Sequence, residues 1–135
     1  MSRAPVFLDT VGLLALWNRR DQWHGAAQAA FAKLAAARIE LVTTSRVLFA
    51  CGNAAARYPF RSSVLALREQ LVAAGKLLEP TRTEIDQAWQ AYATSEGGQA
   101  GIVDQVLFIV MRREGLMQAF SNDRHFQSAG FETLF

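Results

Sequence analysis

Three aspartates stand at positions where a carboxylate can do chemistry. Asp9 directly follows the apolar run 6–8, and Asp123 comes shortly after a later apolar run. Asp104 lies in the first turn of the most apolar predicted helix, where an unpaired charge is costly. Carboxylates at contact distance repel one another and take up protons unless a cation lies between them. The residue types therefore indicate a shared divalent metal ion.

Such a site favours hydrolysis of a phosphodiester. Mg²⁺ takes oxygen ligands and keeps several waters, so it can orient a phosphodiester, acidify a water and stabilise the leaving oxygen. The single cysteine, Cys51, excludes a multi-thiolate site and is expected to be buried. His24 and His125 are far apart in the sequence. We interpret His24 as a core-edge or surface residue and His125 as a structural hydrogen-bonding residue, which makes acid–base catalysis by a histidine pair improbable.

Each aspartate also has an ordinary structural interpretation. Asp9 can cap a helix, because it stands between a strand and a helix. Asp123, in Ser-Asn-Asp-Arg, has the sequence context of a turn residue. Asp104 can stabilise a helix through the helix dipole. Only the joint placement of the three residues favours a functional interpretation.

The elements that must position these acids alternate along the chain. Apolar runs predict strands at 6–8, 39–42, 77–78, 117–120 and 131–135. Helical spacing and capping residues predict helices over 11–18, from Asp21 to about 34, 45–55, 63–74, 81–92 and about 102–113, with a flexible stretch at 96–99. This order predicts an α/β fold of three layers, α/β/α, around a mostly parallel central sheet of about four or five strands. Sites in such sheets form outside the carboxyl ends of strands.

Composition sets the broad class. We expect a single domain over residues 1–135, because 51% of the chain is apolar and no linker interrupts it. The net charge is +2, and 12 of the 14 basic residues are arginine, which permits a phosphate-rich partner. One cysteine allows no intrachain disulfide, and we see neither a signal peptide nor a membrane span. We therefore expect a cytoplasmic protein without membrane attachment.

The chain resembles the PIN-domain family, and in particular the VapC-like toxins of bacterial toxin–antitoxin pairs. The resemblance covers nearly the full length and lies in the order and spacing of several segments, no one of which is specific. These segments are Val6-Phe7-Leu8-Asp9-Thr10, residues 21–27, Val42-Thr43-Thr44-Ser45 with Val47-Leu48, residues 103–115, and Ser121-Asn122-Asp123-Arg124-His125-Phe126 with Ala129-Gly130-Phe131.

The resemblance implies a ribonuclease with a Mg²⁺ or Mn²⁺ site of clustered acids. It also implies a homodimer, an RNA substrate and a small antitoxin protein that masks the site. By position, Asp9, Asp104 and Asp123 correspond to the catalytic metal ligands of the family. Thr10 and Asn122 correspond to supporting neighbours of these acids.

The chain departs from the family at one acid. A glutamate usually follows the second strand in the next helix, and Ala50 stands at that place here. The small hydroxyl residue common before the third acid is also absent, because residues 101–103 read Gly-Ile-Val. Three interpretations stay open: a weak nuclease, a naturally inactive domain, or an alanine introduced to silence a toxin. Glu96 is a further acid that we considered as a substitute for the missing carboxylate.

Two other functions compete with the nuclease. The loss of the acid at position 50 favours a non-catalytic PIN-like module that binds RNA or an antitoxin peptide. A receiver or a haloacid-dehalogenase-like phosphatase is disfavoured, because Asp9-Thr10-Val11 lacks the second aspartate that such phosphatases need two residues on. Metal-dependent cleavage of RNA is the leading prediction.

Overall fold

The fold alternates short buried strands with longer helices. The structure, a computed structural model, describes residues 3–94 and 100–135. The strands are β1 (Val6–Leu8), β2 (Leu41–Val42), β3 (Gln118–Phe120) and β4 (Glu132–Thr133). The helices are α1 (Thr10–Trp17), α2 (His24–Ala36), α3 (Ser45–Ala55), α4 (Arg61–Ala74), α5 (Arg82–Thr94), α6 (Ile102–Arg113) and α7 (Arg124–Ser128).

The four strands form one parallel sheet in the order β2-β1-β3-β4. Phe7 of β1 pairs with Val42 on one side and with Ala119 on the other. All three residues of β1 are buried, which explains why the strand is a continuous apolar run rather than an alternating one. Helices cover the sheet, so the predicted three-layer α/β/α architecture is confirmed.

The prediction of a strand at 77–78 is wrong, because no regular strand forms there. Leu77 makes only an isolated parallel bridge to Thr43, and the Leu78 N–H donates to the Thr43 carbonyl at 2.7 Å. This segment lies beyond β2 at the edge of the sheet, and Pro80 follows after one further residue. A proline has no N–H to donate to a ladder, so pairing cannot extend far in that direction.

Local signals fix most helix ends. Thr81 and Glu84 form a reciprocal capping box, and Gly75 ends α4 in the left-handed conformation with φ of 67°. The helix predicted from Asp21 begins later, at His24, because the Asp21 carboxylate accepts the Trp23 N–H at 2.8 Å and closes a turn. The predicted flexible stretch at 96–99 lies outside the described residues.

A tight contact brings α1 onto the end of β3. A Cβ atom at Gly12 would lie 2.0 Å from the Phe120 carbonyl oxygen, so only glycine allows this approach. The Asp9 N–H also points at that carbonyl, at 3.4 Å. The beginning of α1 is therefore held directly beside the segment that leads to Asp123. Among the helices that the structure describes, none is long and apolar enough to cross a membrane.

Candidate metal centre

Two of the predicted acids lie at the carboxyl ends of neighbouring strands. Asp9 follows β1 and caps α1, where its carboxylate accepts the Val11 N–H at 3.3 Å. Asp123 follows β3 and caps α7, where its carboxylate accepts the His125 N–H at 2.9 Å. The capping interpretation of Asp9 is thus correct, and Asp123, which was interpreted as a turn residue, caps a helix as well. Because β1 and β3 are parallel neighbours, both caps also lie at one edge of the sheet.

Asp104 reaches the same edge from α6. This helix begins at Ile102, and Gly101 before it offers no side-chain cap. One carboxylate oxygen of Asp104, one of Asp123 and one ring nitrogen of His125 lie within 4.8 Å of one another. Asp104 therefore converges on one small volume with two residues that follow it by 19 and 21 positions in the sequence.

His125 joins the two acids, a contact that the sequence did not predict. Its Nδ1 lies 3.3 Å from Asp104 Oδ2 and 3.3 Å from Asp123 Oδ1. The hydrogen-bonding role expected for His125 is correct, but its partners are the acids themselves. The signal in the sequence is its place two residues after Asp123, in the first turn of α7.

Asp9 is the most deeply buried of the acids. The residue is only 4% exposed, and its Oδ2 accepts the Ser121 hydroxyl at 2.8 Å. Burial raises the pKa of Asp9 to about 6, and the negative charge of Asp104 adds to this rise. The hydrogen bond from Ser121 and those from the backbone lower it in part. Asp9 thus interacts electrostatically with the cluster, although its carboxylate is outside the group of three within 4.8 Å.

Ser121 connects the two strand ends. It is fully buried, and its hydroxyl donates to Asp9 while its oxygen accepts the Asp123 N–H at 3.1 Å. One side chain therefore orients Asp9 and fixes the backbone of Asp123. In the sequence Ser121 stands out only as part of the segment 121–126. Asn122, predicted as a supporting residue, is half-buried beside it, and its role stays a prediction.

Thr10 and Cys51 lie behind Asp9. The Thr10 backbone N–H donates to the Asp9 carboxylate, whereas the Thr10 side chain hydrogen-bonds the Cys51 thiol. Cys51 is fully buried, as expected. Burial raises the pKa of Cys51 to about 12, and the nearby charge of Asp9 contributes. The thiol is therefore neutral at ordinary pH and supplies neither a nucleophile nor a metal ligand.

Position 50 brings no carboxylate to the site. Ala50 is exposed on α3, between Phe49, which is 71% exposed, and Cys51, which is buried against Thr10. A glutamate at this position would project from the solvent-exposed face of α3, whereas Cys51 lies on the face of α3 that is near Asp9. Glu96, considered as a substitute acid, lies outside the described residues.

The donors fit a divalent cation. Burial raises the pKa of Asp104, and the charge of Asp123 raises it further, whereas His125 lowers it. Ionised carboxylates are thus disfavoured here unless positive charge is added. Two carboxylate oxygens and one imidazole nitrogen are ligands that Mn²⁺ accepts readily, and Mg²⁺ accepts the oxygens.

Comparison with known proteins identifies similar chains. No protein-family model matches the sequence. The 23S rRNA-specific endonuclease VapC20 of Mycobacterium tuberculosis is 29% identical over 93% of this chain and 95% of its own length, and it is found in two strains. The crystal structure of VapC20, described as a sarcin–ricin loop cleaving toxin, superposes with a TM-score of 0.76 at 25% identity and covers 93% of this chain and 95% of that one.

A second solved structure has the same fold. FitAcB from Neisseria gonorrhoeae matches 96% of both chains with a TM-score of 0.65 at 15% identity. At this identity the likeness concerns the fold alone. The similarity to VapC20 confirms the resemblance to VapC-like toxins drawn from the sequence.

Proposed function

We propose that this PIN-type chain is a metal-dependent endoribonuclease and the toxin of a type II toxin–antitoxin pair. One observation carries the proposal: Asp104, Asp123 and His125 converge within 4.8 Å at the sheet edge, with Asp9 beside them. The similarity to an rRNA endonuclease supports RNA as the substrate class. Ribosomal RNA with a structured loop is the first substrate to test, since VapC20 is described as cleaving the sarcin–ricin loop.

Three side chains would hold the cation. Asp104 and Asp123 offer carboxylate oxygens, and His125 offers Nδ1. When bound, a divalent cation orients a phosphodiester, acidifies water and stabilises the leaving oxygen. Asp9 would complete the negative field of the site, because Ser121 and two backbone N–H groups hold its carboxylate in place. Catalysis by these residues is therefore a matter of charge and positioning, without a covalent nucleophile.

His125 would distinguish this centre from an all-carboxylate one. A nitrogen ligand favours Mn²⁺ over Mg²⁺, because imidazole binds transition metals better than it binds hard alkaline-earth ions. Electron spin-echo spectroscopy of Mn²⁺ bound to the protein should show coupling to one ¹⁴N nucleus. The coupling should disappear in His125→Ala while Mn²⁺ still binds. A spectrum without ¹⁴N coupling in the unmodified protein would remove His125 from the ligand set.

The partners follow from the same proposal. A toxin of this class needs a small antitoxin protein that masks the acids, and we propose that the active form is a homodimer in the cytoplasm. Size-exclusion chromatography with light scattering measures the oligomeric state. Co-expression with the product of an adjacent small reading frame tests the antitoxin, and a complex that leaves RNA cleavage uninhibited would contradict this role.

RNA cleavage with controlled metal is the test of the proposed function. Purified protein should cleave ribosomal RNA with Mn²⁺, stop when EDTA is added in excess and resume when Mn²⁺ is restored. Asp104→Asn keeps the shape of the side chain but removes its charge, and we expect cleavage to fall by at least about 100-fold. The matched control is Asp86→Asn, an equal charge change at an exposed position of α5. Cleavage that EDTA leaves intact would overturn the metal mechanism.

Ala50 favours a second candidate, a non-catalytic module that binds RNA or an antitoxin peptide. A missing acid lowers the negative charge available to a cation, so binding without cleavage is its expected behaviour. A binding module should cleave no RNA in either form, and Asp9→Asn should leave its RNA affinity unchanged. The nuclease should cleave RNA and lose that activity in Asp9→Asn. Cleavage by the unmodified chain would exclude this candidate.

A further inference from the structure

A second concave region lies at the opposite end of α1 from the acid cluster. A cavity of about 680 Å³ opens between the turn after α1 and the loop that joins α3 to α4. This volume is typical of small-molecule and nucleotide sites. Its lining residues are Trp17, Asn18, Arg19, Arg20, Tyr58, Pro59, Phe60, Ser62 and Ser63.

The charge of this cavity is positive. Arg19 and Arg20 both line it and are exposed, and no aspartate or glutamate is among the lining residues. Within residues 3–94 and 100–135, neither arginine forms an ion pair. Their guanidinium groups therefore remain available for an anionic ligand, and guanidinium pairs with phosphate oxygens in a bidentate geometry.

Three of the residues that line the cavity are aromatic. The rings of Tyr58 and Phe60 stack with their centroids 5.4 Å apart and their planes 10° apart. Phe60 packs against the core, whereas Tyr58 is 54% exposed, so the stack is anchored on one side and open on the other. Trp17 adds a half-buried indole. An aromatic surface next to arginines is the usual combination for unpaired nucleotides, whose bases stack while their phosphates pair with the cations.

Hydroxyl groups complete the polar part of the cavity. Ser62 and Ser63 stand in the first turn of α4, a helix of 14 residues whose start lacks a side-chain cap. The positive end of the helix dipole adds to the field of the two arginines. The two arginines and the start of α4 therefore favour an anion, whereas the carboxyl end of α1 at Trp17 adds only the weaker negative end of a helix dipole.

We infer that this cavity binds an unpaired nucleotide of an RNA strand, with the base on the Tyr58–Phe60 stack and the phosphate at Arg19 and Arg20. The eight residues of α1 span about 12 Å. An RNA strand that occupied both sites would cover that distance with roughly four stacked nucleotides. The cavity would thus hold RNA at a fixed distance from the acid cluster, which goes beyond the proposed cleavage chemistry and does not depend on it.

Binding can be measured without cleavage. A hexanucleotide of single-stranded RNA is titrated in EDTA into a Trp23→Phe/Trp89→Phe background, in which Trp17 is the remaining tryptophan. The Trp17 fluorescence should change on binding. Tyr58→Ala should weaken binding about tenfold, whereas Tyr58→Phe keeps the ring and should bind normally. Tyr92→Ala is the matched control, because Tyr92 is 50% exposed on α5, outside the cavity.

Salt dependence tests the arginines. The affinity for single-stranded RNA falls with salt, and each lost phosphate contact makes the slope of log affinity against log salt less steep by about 0.7. We therefore expect Arg19→Ala/Arg20→Ala, which removes two such contacts, to make this slope less steep by about 1.4. Arg68→Ala/Arg82→Ala changes the net charge equally at exposed positions outside the cavity and should leave the slope unchanged.

Three results would overturn the inference. The first is RNA affinity that is the same in Tyr58→Ala and Tyr92→Ala. The second is an equal loss of salt dependence in both arginine pairs, since binding would then be diffuse. The third is a hexaglutamate peptide that matches the affinity of the RNA, since charge alone would then suffice. Failure here leaves the cleavage test with EDTA and Asp104→Asn unaffected, so the two proposals fail separately.

Discussion

The two ends of α1 carry opposite chemistry. Asp9 at the start of the helix is buried beside further acids, whereas the turn after Trp17 presents Arg19 and Arg20 to solvent. A nuclease must hold a cation and also an anionic chain. If arginines stood among the acids, they would pair with them and take the place of the metal. Because the length of α1 separates them, the acids can bind a cation and the arginines can bind RNA phosphates without pairing with each other.

The largest effect should come from the burial of Asp9. Its pKa is about 6 in the folded protein and 3.8 in the unfolded chain. Between these values the folded state holds the proton and the unfolded state does not, so stability falls as pH rises through this window. Asp9 alone should contribute a decrease of about 3 kcal/mol to the free energy of unfolding of the metal-free protein. Asp9→Asn should remove that decrease, as measured by urea unfolding in EDTA from pH 4 to pH 7.5.

The exposed Asp86 provides the control for this experiment. Asp86→Asn should follow the pH dependence of the unmodified protein. Identical pH dependence in Asp9→Asn and Asp86→Asn would show that Asp9 carries no buried charge, and the contrast between the two ends of α1 would then be lost.

An acid on the face of α3 that meets Asp9 should sharpen the contrast. Cys51→Glu adds a carboxylate beside Thr10 and Asp9, unlike a change at the exposed Ala50, and we expect Mn²⁺ affinity to rise about tenfold, with faster RNA cleavage. Ala54→Glu is the matched control, since it adds the same charge on the same helix one turn farther on. Calorimetric titration measures both affinities. Equal gains in the two variants would mean that the added charge acts only at long range.

An effect of similar size is expected from the buried hydroxyl that joins Asp9 to Asp123. Ser121→Ala removes a donor to the Asp9 carboxylate and the acceptor of the Asp123 N–H. The free energy of unfolding should fall by about 1 kcal/mol per lost hydrogen bond in thermal or urea denaturation. Ser128→Ala, at an exposed position of α7, should change it little. Equal stability of both variants would contradict the network.

The smallest effect is an expected absence of change. Arg19→Ala/Arg20→Ala should leave Mn²⁺ affinity within about twofold, because charges about 12 Å apart are largely screened at physiological salt. A large gain in Mn²⁺ affinity would show that the arginines oppose the cation directly. The two ends of α1 would then not be independent.

The strand ends were predictable from sequence, whereas the contacts between side chains were not. Asp9 directly follows one apolar run and Asp123 comes shortly after another, so the sequence predicts that both acids lie near strand ends. The alternation of strands and helices predicts that the strands are parallel. His125 and Ser121 were missed because their role depends on rotamers and on burial between β1 and β3. The order of apolar and polar residues along the chain does not specify which side chains meet in the folded protein.

Other parts of the fold show the same limit. Trp17 fits a helical apolar pattern and packs partly buried against the core, yet it also lines the cavity. Tyr58 and Arg19 are 39 residues apart, so no short motif connects them. The isolated bridge at Leu77 was predicted as a strand because sequence cannot tell where the edge of a sheet lies.

Calorimetric titration of Mn²⁺ into the purified protein tests the central claim most directly. The unmodified chain and Asp86→Asn should bind Mn²⁺ at one site with equal affinity, and Asp104→Asn and Asp123→Asn should each lose at least about 100-fold of that affinity. Mn²⁺ binding of equal strength in all four proteins would contradict a shared metal site at the ends of β1 and β3.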